Sequence, residues 1–344
     1  MNTVSRWVTS LALLSFFAVA GLGCRVSEKA LAEGPFEFAL MGDNPYVPGD
    51  VPKFETLIKE VNQSTDLAWV LHVGDIRGIR GSDTVGCSDE VFRARFDLFQ
   101  RFQAPFIFTP GDNDWLDCRL PAAGGYDEYE RLKYLRGLFF PSPGLTTGGH
   151  PMQVATQSRE AGFEEFVENA MWIRGGVVFS TVHLVGLTQP TKDPAADSRR
   201  MDAALSWIAK TFQRARESNS RGVFVATQAD PWIVSGLPIL IRRTCPDCLQ
   251  PRAGLERLYP VLEKESLAFS RPVVLAVGDT HVFRMDKPLY SPGTGLLVEN
   301  FTRIEPFGYP YVHWVRVRVD TQGDRVFSFQ EQIVEGNVVV HPTP

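Results

Sequence analysis

One phrase recurs along this chain, and it limits the folds open to it. An apolar run of β type stops at Gly-Asp four times: Phe36 to Met41 before Gly42-Asp43, Leu67 to Val73 before Gly74-Asp75, Phe106 to Thr109 before Pro110-Gly111-Asp112, and Val273 to Val277 before Gly278-Asp279. Between the first three runs lie helical faces, Phe54, Leu57, Ile58 and Val61 in one and Phe92, Phe96 and Phe99 in the next. Strand, helix, strand, helix, strand in that order predicts a parallel sheet with right-handed crossovers. The aspartates then leave the carboxyl ends of neighbouring strands, where open α/β sheets keep their chemistry.

The rest of the chain is consistent with one large domain. At 344 residues and 44% hydrophobic it can fill a sizeable core. Tyr126 to Leu138 reads as a helix inside a Gly- and Pro-rich excursion, Val177 to Val185 as a strand, and Met201, Leu205, Ile208, Phe212 and Ala215 as one face of an amphipathic helix. Val223 to Ala226 leads to Gln228-Ala-Asp230. After Pro272 the pattern turns strand-rich, with runs at Gly295 to Val298, Tyr311 to Val319 and Val326 to Phe329, the last of them antiparallel neighbours. We expect an α/β protein with two mixed sheets packed together and helices outside, in a single domain over residues 33–344.

Residues 1–32 read as an export signal: Arg6 precedes an apolar run from Leu11 to Leu22, too short to span a bilayer. Gly21-Leu22-Gly23-Cys24 resembles a bacterial lipobox, so a lipid anchor on Cys24 and simple secretion are both open; the expected location is periplasmic, cell-envelope or secreted. Four cysteines follow. Cys87 and Cys118 lie in loops from the same sheet edge, placed to bridge in an oxidising compartment. Cys245-Pro-Asp-Cys248 reads as a structural staple, with a redox pair or half a zinc site as alternatives. The net charge of -5, without basic blocks, argues against nucleic-acid binding; the only membrane contact expected is through Cys24.

Each Gly-Asp alone is explained by a tight turn and a helix cap. Several carboxylates at one edge are another matter, because they repel and raise one another's pKa unless a cation compensates. In order, spacing and strand context the chain resembles the calcineurin-like metallophosphoesterase superfamily: Asp43-Asn-Pro45, Gly74-Asp75, Gly111-Asp-Asn-Asp114, Gln228 and Gly278-Asp-Thr-His281 stand where that family has its five ligand blocks. The resemblance implies a four-layer αββα sandwich. It implies Asp43, Asp75 and His281 as ligands of one metal, with Asp75 bridging to a second held by Asp112, Gln228 and Asp279. Asn113 stands where the family has a histidine; it can orient a phosphoryl oxygen but cannot donate a proton near neutral pH.

Carboxylate and amide oxygens replacing imidazole favour Mn²⁺, Mg²⁺ or Ca²⁺ over Zn²⁺ or Fe. Gly78, three residues after Asp75, offers no tyrosinate, which disfavours purple acid phosphatase chemistry. The implied activity is hydrolysis of a small phosphate mono- or diester by in-line attack of a hydroxide activated by one or two metals. The alternative is a non-catalytic binding or scaffold protein on the same fold. Arg77 is a candidate phosphate contact or a solvated surface arginine, and Asp114 an acceptor behind the site or a turn cap. His72, His183 and His313 read as structural, and Asp230 is a weaker alternative to Gln228.

Overall fold

The computed structural model describes residues 34–78, 85–186, 191–232, 252 and 254–339. The expected signal segment with Cys24, and the Cys245 and Cys248 pair, lie outside the described residues. Two mixed sheets make up the centre. In the first, β1 (Phe36–Met41), β2 (Leu67–His72) and β3 (Pro105–Phe108) run parallel. This parallel core is flanked by antiparallel β12 (Trp314–Val319) and β13 (Phe327–Gln332) on one side and β4 (Thr147–Gly148) on the other. In the second, β7 (Val177–Thr181), β8 (Gly222–Ala226), β9 (Val273–Ala276) and β11 (Phe301–Glu305) run parallel. Antiparallel β10 (Arg284–Asp286) closes one edge of that sheet, and β6 (Ala170–Arg174) with β5 (Ala155–Thr156) the other.

Period-two alternation explains how the sheets meet. Phe36, Phe38 and Leu40 of β1, with Trp69 and Leu71 of β2, face Phe179, Phe224, Ala226, Val274 and Ala276 of the other sheet across an apolar seam. The intervening residues Ala39, Met41 and Val70 face outward, onto α1 (Val51–Gln63), α2 (Asp89–Phe99) and α3 (Glu128–Phe139). The second sheet is covered by α4 (Pro194–Glu217) and α5 (Leu258–Phe269). Helix, sheet, sheet and helix thus form four layers, as expected.

The helix starts follow their chemistry. Asp127 accepts the amides of Tyr129 and Glu130 to start α3, and Asp193 accepts those of Ala195 and Ala196, with Pro194 in the first turn, to start α4 well before Met201. One strand expectation needs correction. Gly295 to Val298 is not a strand, only a bridge between Leu297 and Tyr290. The strand is β11, Phe301–Glu305, which the sequence pattern did not single out. Both of its charges are fully buried, Arg303 against Asp230 and Asp286 and Glu305 against Thr280 and Arg284.

Cys87 and Cys118 form a disulfide across 31 residues, joining the segments that follow β2 and β3. Arg77 lies beneath it, its Nε donating to Cys87 Sγ at 2.9 Å. Loop-closure entropy for a ring of this length is about 3 to 4 kcal/mol. The double variant Cys87→Ala, Cys118→Ala should therefore lose about that much unfolding free energy in urea titrations, and lose it without a change of fold by circular dichroism.

Candidate functional site

The parallel strands β1, β2, β3, β8 and β9 all end at the same rim, so the loops that follow them face one crevice walled by both sheets. Asp43, Asp75, Asp112, Asn113, Gln228, Asp279 and His281 come together there. Their backbone is as telling as their side chains. Asp43, Asp75, Asp279 and His281 have φ of 51°, 57°, 84° and 64°, and they are four of the six described non-glycine residues with positive φ. Such conformations cost of order 1 kcal/mol or more each for residues with a Cβ and persist only where the surroundings enforce them.

Two buried carboxylates do the enforcing. Asp114 accepts the amides of Gly111 at 2.8 Å, Asp75 at 3.0 Å and Ile76 at 2.8 Å, binding the loops after β2 and β3 into one unit. Burial pushes its pKa up to about 6, against the pull of those three amides. Glu305 accepts the Thr280 amide and hydroxyl at 2.8 and 2.5 Å and so fixes the turn between Asp279 and His281. Burial pushes it up to about 8, opposed by Arg284. The close fit leaves room only for glycine at Gly111, where a Cβ would stand 2.0 Å from Asp75 Oδ1.

Within the crevice, Asp75 Oδ1 accepts the Asn113 amide at 3.1 Å and Oδ2 accepts Gln228 Nε2 at 3.1 Å. Asp43 Oδ1 accepts the Asp279 amide at 3.0 Å. His281 Nδ1 faces the Tyr309 carbonyl at 2.9 Å; a carbonyl only accepts, so Nδ1 carries the proton and Nε2 turns its lone pair inward. Tyr46, which sequence reasoning passed over, sits amid these groups. Its hydroxyl is 3.0 Å from Asp75 Oδ2, 3.3 Å from Asp43 Oδ1 and 3.0 Å from His281 Nε2, and it accepts Asn113 Nδ2 at 3.2 Å. Arg252 was also missed, and nothing around it in the sequence marks it; its guanidinium pairs with Asp279 Oδ2.

The acids are crowded beyond what these partners offset. Burial, then neighbouring carboxylates, holds Asp43, Asp75 and Asp112 well above the usual carboxylate range. Asp43 Oδ2 and Gln228 Oε1 are buried without a hydrogen-bond partner. Among the described residues no three His, Cys, Asp or Glu side chains by themselves stand as a metal site. The donor chemistry nevertheless fits a hard cation. Oxygen donors predominate, two of them are orphaned, and His281 has the tautomer a ligand needs, its other nitrogen tied to a backbone carbonyl.

Several side chains lie elsewhere than the sequence suggested. Arg77 is neither a phosphate contact nor a solvated arginine, since it is fully buried against the disulfide. Asp230 gives both oxygens to Arg303, at 2.8 and 2.7 Å, and so is no substitute for Gln228. His72 donates Nε2–H to the Asn44 carbonyl at 2.8 Å and accepts the Gly74 amide on Nδ1 at 3.1 Å, pinning the loops after β1 and β2. His183 donates to Glu168 at 2.6 Å and accepts the Trp115 indole N–H at 3.1 Å. His313 accepts the Val334 amide.

Layers, strand order and rim crevice together define a metallophosphoesterase-like fold. Among solved structures, the chain is similar to that described as GAP50, the anchor in the inner membrane complex of Plasmodium: 9% identity over 90% of this chain and 88% of that one, TM-score 0.50. A structure of PhoD aligns at 13% identity over 84% of this chain and 64% of that one, TM-score 0.45. No protein-family model and no curated protein sequence matches the chain.

Asp114→Ala strands three buried amides at about 1 to 3 kcal/mol each before relaxation. It should lower the unfolding free energy by about 3 to 5 kcal/mol in urea titrations, and Asp114→Asn, which keeps an acceptor oxygen, by less. A second prediction concerns acid. Burial lowers His72 and His183 to about 4, below the unfolded value of about 6.5. The folded state therefore binds fewer protons than the unfolded state across that window, so these groups favour folding above pH 6.5 and withdraw that support as pH falls toward 4. The loss should be up to about 3 kcal/mol for each histidine. Both imidazoles should remain neutral by NMR at pH 5.5, where an exposed histidine is protonated.

Proposed function

We propose that the chain is a metal-dependent phosphoesterase acting on a small phosphate mono- or diester in the rim crevice. The observation that carries the reading is the set of strained residues. Asp43, Asp75, Asp279 and His281 are forced into left-handed backbone at strand ends from both sheets, around buried acids whose charge the protein only partly neutralises. Packing alone gives no reason to hold four such residues at one rim, and a ligand cation does.

Asp43, Asp75 and His281 on one side, and Asp75, Asp112, Gln228 and Asp279 on the other, are the residues that would hold one or two divalent ions. A bound ion would supply Lewis-acid polarisation of a phosphoryl oxygen and compensate the acids. The remaining roles fall to this chain's own groups. Asn113 Nδ2 is a neutral donor that can orient an oxygen without transferring a proton. Arg252, held between Asp279 and the Asp230 and Gly186 carbonyls, is the cation at hand for a phosphate oxygen. The disulfide supports export to an oxidising compartment, whether the chain is then secreted or lipid-anchored at Cys24.

A second reading is a non-catalytic binding protein on the same fold. Its support is specific: Arg252 already occupies Asp279, and the Asn113 side chain is spent on Tyr46.

One experiment separates the two. The mature protein is analysed for bound metal and assayed on model phosphomono- and diesters with added Mn²⁺ or Mg²⁺. The expected result is metal-dependent turnover that Asp75→Asn lowers by about 100-fold or more. No turnover with any ion, or equal turnover in the variant, leaves the binding reading.

A further inference from the structure

We propose that the guanidinium of Arg252 is the resident cation of one half of the crevice, standing between Asp112 and Asp279 where a second divalent ion would otherwise bind. The inference rests on the metal-dependent reading above and goes beyond it by fixing the count: one exchangeable ion at most, with an arginine built in beside it.

The placement of the guanidinium carries it. Arg252 Nη1 pairs with Asp279 Oδ2, and the side chain is only 4% exposed. Nη1 also donates to the Asp230 carbonyl at 3.5 Å, and Nη2 to the Gly186 carbonyl at 3.3 Å. The Asp230 carboxylate is paired with Arg303, which leaves Asp279 and Asp112 as the acids this arginine serves. Burial lowers its pKa, but Asp279 and then Asp112 more than restore it. At Asp112, where burial, Asp279 and Asp117 raise the pKa, Arg252 acts against them.

A guanidinium does not give up its proton in a protein, so this charge is permanent. A divalent ion within reach of the same oxygens would face it in a region walled by apolar sheet, where like charges repel strongly. The two cations therefore exclude each other. Asp43, Asp75 and His281 lie on the other side of the crevice, and none of the hydrogen bonds and ion pairs of Arg252 reaches them.

The chain makes room for the arginine and ties it down. At Gly186 a Cβ would collide with the Arg252 guanidinium, so a larger residue there fills the seat that the guanidinium occupies. Gly186 is not among the glycines in left-handed backbone, so space alone accounts for it. The Arg252 amide donates to the Pro231 carbonyl at 2.7 Å, and its carbonyl accepts the Leu255 amide at 3.2 Å. Pro231 stands three residues beyond Gln228, so the arginine is fastened to a loop that itself lines the crevice.

The test is the Mn²⁺ stoichiometry of the mature chain and its Arg252→Gln variant, stripped with chelator and titrated by calorimetry; circular dichroism confirms that the variant folds. The wild type should bind one ion per chain and the variant one more. Adding Asp279→Asn to the variant should remove the extra ion, which locates it. Without metal the variant should melt below the wild type, and Mn²⁺ should raise its melting temperature by more. Should Arg252→Gln fail to fold, Gly186→Ala, which keeps the arginine but fills its seat, is titrated in its place with the same expected count. A wild type that already binds two ions, a variant that gains none, or an extra ion that survives Asp279→Asn overturns the role of Arg252 and leaves the hydrolase reading standing. No ion in the wild type and one in the variant supports the resident cation and overturns metal-dependent hydrolysis.

Discussion

The crevice exists because one carboxylate, Asp114, gathers three amides from two loops. Gly111, Asp75 and Ile76 each donate to it, and through them the ends of β2 and β3 become one rigid lip. Without that bond set Asp75 has no reason to remain in left-handed backbone, and Gly111 no reason to press against its side chain. Glu305 does the same for the His281 turn, and His72 for the loops after β1 and β2. The groups that face the crevice are thus held by a ring of buried polar groups behind them, each satisfied by backbone. That division, satisfied groups behind and orphaned atoms in front, distinguishes this rim from a set of ordinary turn caps.

The electrostatics follow from this geometry. Fixing loops with buried carboxylates adds Asp114 and Glu305 to a region that already has Asp43, Asp75, Asp112 and Asp279. Arg252, Arg284 and Arg303 return some positive charge, but they are already paired, with Asp279, with Glu305, and with Asp230 and Asp286. Within the crevice, the buried atoms Asp43 Oδ2 and Gln228 Oε1 are left without hydrogen-bond partners. A low-dielectric wall on both sides strengthens every interaction there, so the same crowding that raises the carboxylate pKa values favours an incoming cation.

Much of this was legible in the sequence. The strand-then-Gly-Asp phrase located four crevice loops, because tight turns after apolar strands need glycine and the polar residue that follows has nowhere else to go. The disulfide was legible from the same placement. Tyr46 was not, because a tyrosine three residues beyond Asp43 looks like any loop aromatic until the chain folds back over Gly78. Arg252 and β11 were hidden for a different reason. Nothing in the local sequence marks their arginines as buried, and only tertiary pairing with Asp279, Asp230 and Asp286 explains it. Arg77 misled in the opposite direction, since proximity in sequence to Asp75 says nothing about which way a long side chain turns.

The crevice lies on the seam between the sheets. Asp43 and Asp75 belong to one sheet, Gln228, Asp279 and His281 to the other, and the layers between them are held by apolar contact with few directional bonds. Anything gripped by residues from both sheets would act as a rivet through the sandwich, stabilising the whole of it by mass action in proportion to how far its concentration exceeds its dissociation constant. Occupancy of the rim and the mechanical integrity of the protein are then one quantity, and heat resistance becomes a gauge of what the crevice contains.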